Sequence, residues 1–229
     1  MSDFDPRNLL IQALHHAHDS HDRTLQVEIG PSSIGDCRRK VWHQIKGTPE
    51  TNPDTEILAA MLGRFIHTGL DEVLLGEDNP FVKNFLTELE VEYNGLKGHV
   101  DLYVESEGLV CDFKTTSKKN LKNFPSQQNI YQIQVYAYLL KWGMGYDVKE
   151  VSLVVFPRDG RMDEVGLYRA DYDELEALKG IAWLDELKDL VASGGRPPEP
   201  ERSLAFCPRY CKYFDPSALI ACPSNGRRF

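Results

Sequence analysis

Two short segments hold the residues best suited to chemistry: "GHVD", ending at Asp101, and "VCDFKTT", which contains Cys111, Asp112 and Lys114. Both read as strands, joined by a turn at "SEG", residues 106–108. With Ser106 and Glu107 as the turn, Asp101 stands opposite Asp112, the Cβ atoms about 4.5–5.5 Å apart. A three-residue loop would shift that register. Two ionised carboxylates so close repel one another unless a cation sits between them. Alternation puts Val110, Asp112 and Lys114 on one strand face, and Cys111 and Phe113 on the other. Cys111 is therefore expected in the core, where free cysteines are common, rather than among ligands.

Two carboxylates and a lysine on one sheet face suit phosphodiester hydrolysis. A hard divalent cation takes oxygen ligands from carboxylate and phosphate. It lowers the pKa of bound water and offsets charge developing on phosphorus. The lysine can orient the attacking water or neutralise that charge. The plain alternative is a solvated hairpin face with an incidental Asp/Lys pair, and for these three residues alone that reading is preferred.

Other residues join them. His67 lies in "GRFIHTGL", and "YQIQVYAYLL" (131–140) sets Gln132 and Tyr136 four apart, on one helix face. Gln134 and Tyr138 share that spacing, so the phase is open. Alone, His67 reads as a packed helical histidine and the tyrosines as an apolar face against a sheet. Glu88 or Glu90 could add a ligand, but a charge on a strand face is the preferred reading. His15, His16, His18 and His21 could chelate a metal, although a polar face on an N-terminal helix is preferred.

Cys37 sits near the start, and Cys207, Cys211 and Cys222 near the end, with gaps of three and ten residues in the tail. Four thiolates can hold a 4Fe-4S cluster or a tetrahedral zinc. Unrelated buried cysteines are the alternative, disfavoured because three fall within sixteen residues. A metal there would staple both chain ends across the core and contribute folding energy. Nothing requires it to be redox-active.

The elements that must position these residues follow from periodicity and punctuation. A helix is expected over 7–21, and another from near Ile34, capped by Ser32 or Ser33 and carrying Cys37, Val41, Trp42 and Ile45. A strongly apolar helix over 55–75 takes Asp54 or Thr55 as its cap. Residues 86–116 read as three strands, with "NG" at 94–95 as the first hairpin signal. Pro125 opens a helix running to about Lys141. Strands at 149–156 and 163–169 precede an amphipathic helix over 172–192. "SGGRPPEP" is the best linker, so the segments divide at 1–54, 55–193 and 194–229. The order describes one α/β core between two cysteine-bearing ends.

At 229 residues the chain suits one sizeable domain, and its 41% hydrophobic and 27% charged content is ordinary for a globular protein. The mostly apolar run at residues 151–156 is far too short to cross a bilayer, and "MSDFDPRN" lacks a secretory pattern. A cytoplasmic setting is expected, where clustered cysteines bind metal more often than they pair. A net charge of −9 argues against a general nucleic-acid coat protein. It leaves room for local basic clusters at Arg38, Arg39 and Lys40 and at Lys118, Lys119 and Lys122.

In order and kind, "GRFIHTGL", "GHVD", "CDFKTT" and "YQIQVYAYLL" resemble the motif series of the RecB-like branch of PD-(D/E)xK nucleases. The resemblance spans roughly residues 31–222. It implies a restriction-endonuclease-like fold, a mixed sheet flanked by helices, and Mg²⁺- or Mn²⁺-dependent DNA cleavage. It implies His67, Asp101 and Asp112 as metal ligands with the Phe113 main-chain carbonyl, and Lys114 as catalytic lysine. Gln132 and Tyr136 would position substrate or that lysine. One upstream cysteine joined to three downstream, with "SSIGDCRRKVW" around the first, is similar to the iron-sulfur subfamily, which includes CRISPR-associated, AddB-like and phage exonucleases. The tail spacing departs from the tighter subfamily pattern, which keeps zinc open at the four cysteines.

The expected function is a metal-dependent exonuclease acting on single-stranded DNA or DNA ends, its basic clusters gripping phosphates. No Gly-Lys dipeptide occurs, hence no Walker A loop; unwinding would come from a helicase, and a recombinase or integrase partner is also compatible. The rival from another class is a non-catalytic DNA-end-binding adaptor. A thiol redox protein, resting on Cys-x3-Cys alone, ranks last.

Overall fold

The computed structural model describes residues 6–20, 29–52, 55–76, 85–217 and 222–224. Helix α1 (Pro6–Asp19) is followed by a 3₁₀ turn (Pro31–Ser33), α2 (Arg38–Ile45) and α3 (Leu58–Leu75). Strands β1 (Phe85–Tyr93), β2 (Leu96–Val104) and β3 (Leu109–Thr116) come next. Then follow α4 (Gln127–Met144), β4 (Glu150–Pro157), β5 (Gly166–Asp171), α5 (Glu174–Ala192) and the short α6 (Cys207–Tyr210). No helix among the described residues is long and apolar enough to cross a membrane.

The five strands form one mixed sheet in sequence order. β1–β2–β3 is an antiparallel meander, β4 joins β3 in parallel, and β5 pairs antiparallel with β4. The parallel pair needs a crossover, and α4 supplies it. Ser126 caps α4 through a reciprocal box with Asn129, and Gly145, left-handed at φ 78°, ends it. α4 packs on the sheet, and α5 packs on α4. Ile133, Val135, Ala137, Leu139 and Leu140 of α4 are accordingly buried with Val110, Val151 and Leu153 of the sheet and Leu184 and Leu187 of α5.

The expected strands and the long central helices are present, with differences at their ends. The helix expected from Ile34 starts only at Arg38, with Cys37 at its cap and no side-chain cap from Ser32 or Ser33. Gly35 is the reason: its φ of 80° turns the chain left-handed, and an added Cβ would meet the Gln128 Cα at 3.0 Å. Helix α3 starts at Leu58 rather than 55, where Glu56 Oε1 accepts the Leu58 N–H at 2.9 Å. Asp54 and His21 lie outside the described residues. Residues 162–164 form a 3₁₀ turn, so the last strand runs over 166–171 instead of 163–169.

The two chain ends are bonded together. Thr51 and Asn52 N–H groups donate to the Lys212 carbonyl, and Glu56 N–H to that of Arg209. Asn52 Nδ2 donates to the carbonyls of Pro208 and Cys211.

Candidate active site

The β2–β3 ladder runs Val104↔Leu109, Tyr103↔Val110, Leu102↔Cys111, which is the register expected from a Ser106–Glu107 turn. It stops one step short of Asp101 and Asp112. There the Phe113 N–H donates to Asp101 Oδ2 at 2.6 Å. Asp101 and Asp112 are 5% and 2% exposed, so two carboxylates are buried where the ladder ends. Burial pushes Asp112 up to about 6, against the pull of Lys114 and helped by the repulsion of Asp101.

Lys114 Nζ stands 2.5 Å from Asp112 Oδ2. From α4, Gln132 Nε2 donates to Asp112 Oδ1 and to the Tyr136 hydroxyl oxygen, both at 3.3 Å. Gln132 of that pair thus reaches the Asp112 carboxylate and holds the Tyr136 hydroxyl beside it. Gln134, the other phase of that motif, points elsewhere. Its amide donates to the Asp171 carbonyl and accepts from the Asp173 N–H, tying α4 to the start of α5. Tyr136 packs closely on β2 because residue 98 is glycine: a Cβ there would stand 2.5 Å from Tyr136 Cε1. Gly98 of "GHVD" therefore fixes where the phenol sits, a role that periodicity does not reveal.

From α3, His67 brings Nδ1 to 3.3 Å from Asp101 Oδ1, outside hydrogen-bonding geometry, and its ring meets Phe113 edge-on. Burial alone would lower the His67 pKa, yet Asp101, with Asp112 behind it, holds it above the usual imidazole value. Among the described residues, the group of three ligand-bearing side chains whose donor atoms all lie within 4.8 Å of one another is His67, Glu88 and Asp101. In sequence Glu88 reads as a strand-face charge, and its place in this group differs from that expectation. Asp112 falls outside that tight group, its carboxylate being engaged by Lys114 and Gln132. His67 Nδ1 is a buried atom without a hydrogen bond, whereas Asp112 Oδ2 faces the Lys114 ammonium. Nitrogen and carboxylate donors of this kind fit a divalent cation.

Cys111 is buried, and burial pushes its thiol up to about 12. The other four cysteines are buried too, and Cys37, Cys207, Cys211 and Cys222 line one small cavity with Asp36, Lys40, Arg202 and Phe206. Burial, then the neighbouring Cys211, Cys222 and Cys37, drives the Cys207 thiol up to about 12; burial also raises Cys211 and Cys222. Converging thiols whose ionisation is this unfavourable need a positive centre to become ligands.

The basic clusters are disposed differently from one another. Arg38 pairs with Glu186 at 2.9 Å and lies over Trp183, Arg39 Nη1 donates to the Pro198 carbonyl, and Lys40 pairs with Asp36 at 2.7 Å. Arg38 and Arg39 hold α2 to α5 and to the linker, and Lys40 closes on the turn before α2. Lys118 pairs with Glu164, whereas Lys119 and Lys122, on the 3₁₀ turn that follows β3, are exposed without an ion pair among the described residues. His15 and His16 are exposed, and His18 Nδ1 meets Arg64 Nη2 at 2.6 Å.

Residues 76–215, more than half of the chain, match the family model of the PD-(D/E)XK nuclease superfamily. No match was found among curated protein sequences. Among solved structures, that of SSO0001 is similar over 99% of this chain and 100% of the other, at 21% identity and a TM-score of 0.55. LHK-Exo in complex with dAMP is similar over 73% of this chain and 89% of that one, at 12% identity and a TM-score of 0.49. The alkaline exonuclease LHK-Exo from Laribacter hongkongensis covers 80% of this chain and 97% of its own, at 14% identity and a TM-score of 0.45.

Proposed function

The chain belongs to the PD-(D/E)XK nuclease superfamily, and from that premise we propose that it is a divalent-metal-dependent deoxyribonuclease, an exonuclease acting on single-stranded DNA or DNA ends. One observation carries the reading. His67 of α3, Asp101 of β2, and Asp112 and Lys114 of β3 meet where the β2–β3 ladder stops, with Gln132 of α4 seated on Asp112.

His67, Asp101, Asp112 and the Phe113 carbonyl would hold Mg²⁺ or Mn²⁺, and the buried His67 Nδ1, which makes no hydrogen bond, supports that fit. When bound, such a cation lowers the pKa of coordinated water and offsets charge on the scissile phosphate. Lys114 then orients the attacking water and neutralises charge on the phosphate oxygens. Gln132, with Tyr136 behind it, holds Asp112 Oδ1 and so fixes the carboxylate that faces the lysine. Asp101 takes the Phe113 N–H and thereby sets the angle of the strand that carries Asp112 and Lys114. Lys119 and Lys122, exposed next to β3, would grip backbone phosphates. A helicase or recombinase partner would supply unwinding.

The four cysteines would hold a 4Fe-4S cluster. Their shared cavity supports a metal centre there. Tetrahedral zinc on the same four thiolates is the alternative.

The test is degradation of end-labelled linear and of circular single-stranded DNA with Mg²⁺ or Mn²⁺. Loss of the linear strand with the circle intact is expected. Cutting of the circle makes the enzyme an endonuclease, and binding without any cleavage makes it an adaptor.

A further inference from the structure

Glu88 occupies the middle of β1 with φ at +46°, a left-handed conformation that a residue with a Cβ adopts only at a cost. The β1–β2 register passes from Thr87↔Leu102 to Leu89↔Val100, so Glu88 stands across from Asp101 without forming a ladder pair. On its other edge, β2 stops pairing with β3 at Leu102↔Cys111, again at Asp101. Both ladders are thus interrupted at the same residue, and each gap faces a carboxylate: Glu88 on one side, Asp112 on the other.

An ordinary strand-face glutamate has no use for this. Two facing carboxylates repel, and a left-handed residue between two ladder pairs sacrifices pairing as well. What the conformation achieves is proximity: it leaves the Glu88 carboxylate, the Asp101 carboxylate and a His67 nitrogen all within 4.8 Å of one another. Two further facts point to a ligand at that spot. His67 Nδ1 is buried with no hydrogen-bond partner. Asp101 is 5% exposed and has one oxygen committed to the Phe113 N–H, leaving Oδ1 turned to the histidine. One imidazole nitrogen and two carboxylate oxygens form a donor set for a divalent cation.

We infer that Glu88 is a ligand of the divalent cation, together with His67 and Asp101, and that β1 keeps its left-handed residue to deliver that carboxylate. The inference rests on the metal centre proposed above and adds a residue to it. Glu88→Gln removes the charge at constant shape. Glu88→Gly removes the carboxylate but suits φ > 0, so a folding defect cannot mimic a lost ligand in both variants.

Mn²⁺ alone, titrated into the metal-free full chain by calorimetry and followed by melting with and without Mn²⁺, reads the outcome without DNA. Both variants are expected to bind Mn²⁺ at least about ten-fold more weakly and to show a smaller Mn²⁺-induced rise in melting temperature. Their metal-free melting should stay cooperative, which reports the fold separately from the metal. Unchanged Mn²⁺ affinity in Glu88→Gln or Glu88→Gly overturns the inference. If the unsubstituted chain itself fails to bind Mn²⁺, the proposed metal-dependent function falls too, which separates the two failures.

Discussion

Lys114→Ala is expected to lower DNA hydrolysis by about 10²–10³-fold, the usual loss when one charge-stabilising donor is removed from a site. Its affinity for Mn²⁺ should not weaken at alkaline pH, because no ligand is lost. The ammonium sits 2.5 Å from Asp112 Oδ2, and that carboxylate is almost fully buried. Lys114 works against the rise in the Asp112 pKa that burial imposes, so its removal carries that pKa above its present value of about 6. The sign follows. A proton then competes with the cation at higher pH, and the acid limb of the activity profile moves upward in Lys114→Ala. Lys114→Arg keeps the charge and should leave the limb in place while turnover still falls. Single-turnover rates on labelled DNA across pH 5–8, roughly the range spanning Asp112 ionisation, check this. Activity within a few-fold of the unsubstituted enzyme would remove Lys114 from the chemistry.

The second large effect concerns stability. Cys207→Ser should lower the melting temperature by roughly 10 °C or more and abolish visible absorption near roughly 400 nm. The tail packs as a small satellite cluster of Cys207, Cys211, Tyr213 and Phe214, apart from the main core. So few apolar contacts bury little surface. The tail is joined to the rest by the cysteine cavity shared with Cys37, by the backbone bonds from Thr51, Asn52 and Glu56, and by the pair of Arg202 and Asp36. Cys111→Ser is the matched control: an equally buried thiol, on the sheet, whose loss should leave the absorption intact. A colourless protein carrying stoichiometric zinc would assign zinc to the four cysteines.

Much of the site is legible in sequence because a strand has a period of two. Alternation and a two-residue turn suffice to orient Asp112 and Lys114 together, to bury Cys111, and to set the register that ends at Asp101. Glu88 escapes the same reasoning because its left-handed backbone breaks that period: "TELEVEY" reads as a solvated edge, and nothing in it announces a positive φ. The helix motif escapes for another reason. Gln132 and Gln134 have equivalent spacing to a tyrosine, and only the packing of α4 decides that one meets Asp112 while the other meets residues 171 and 173. Charge clusters are visible, but their partners are not. Arg38 meets Glu186 and Lys40 meets Asp36, which spends their charge inside the fold, whereas Lys119 and Lys122 keep theirs exposed.

If buried Asp112 anchors a metal-dependent cutting site, the deciding measurement is degradation of end-labelled single-stranded DNA by the unsubstituted chain and by Asp112→Ala, each with Mg²⁺ or Mn²⁺ and with chelator. Cleavage that requires the cation and is lost in Asp112→Ala, with the variant still folded, is the predicted result. Equal, metal-dependent degradation by Asp112→Ala would contradict it.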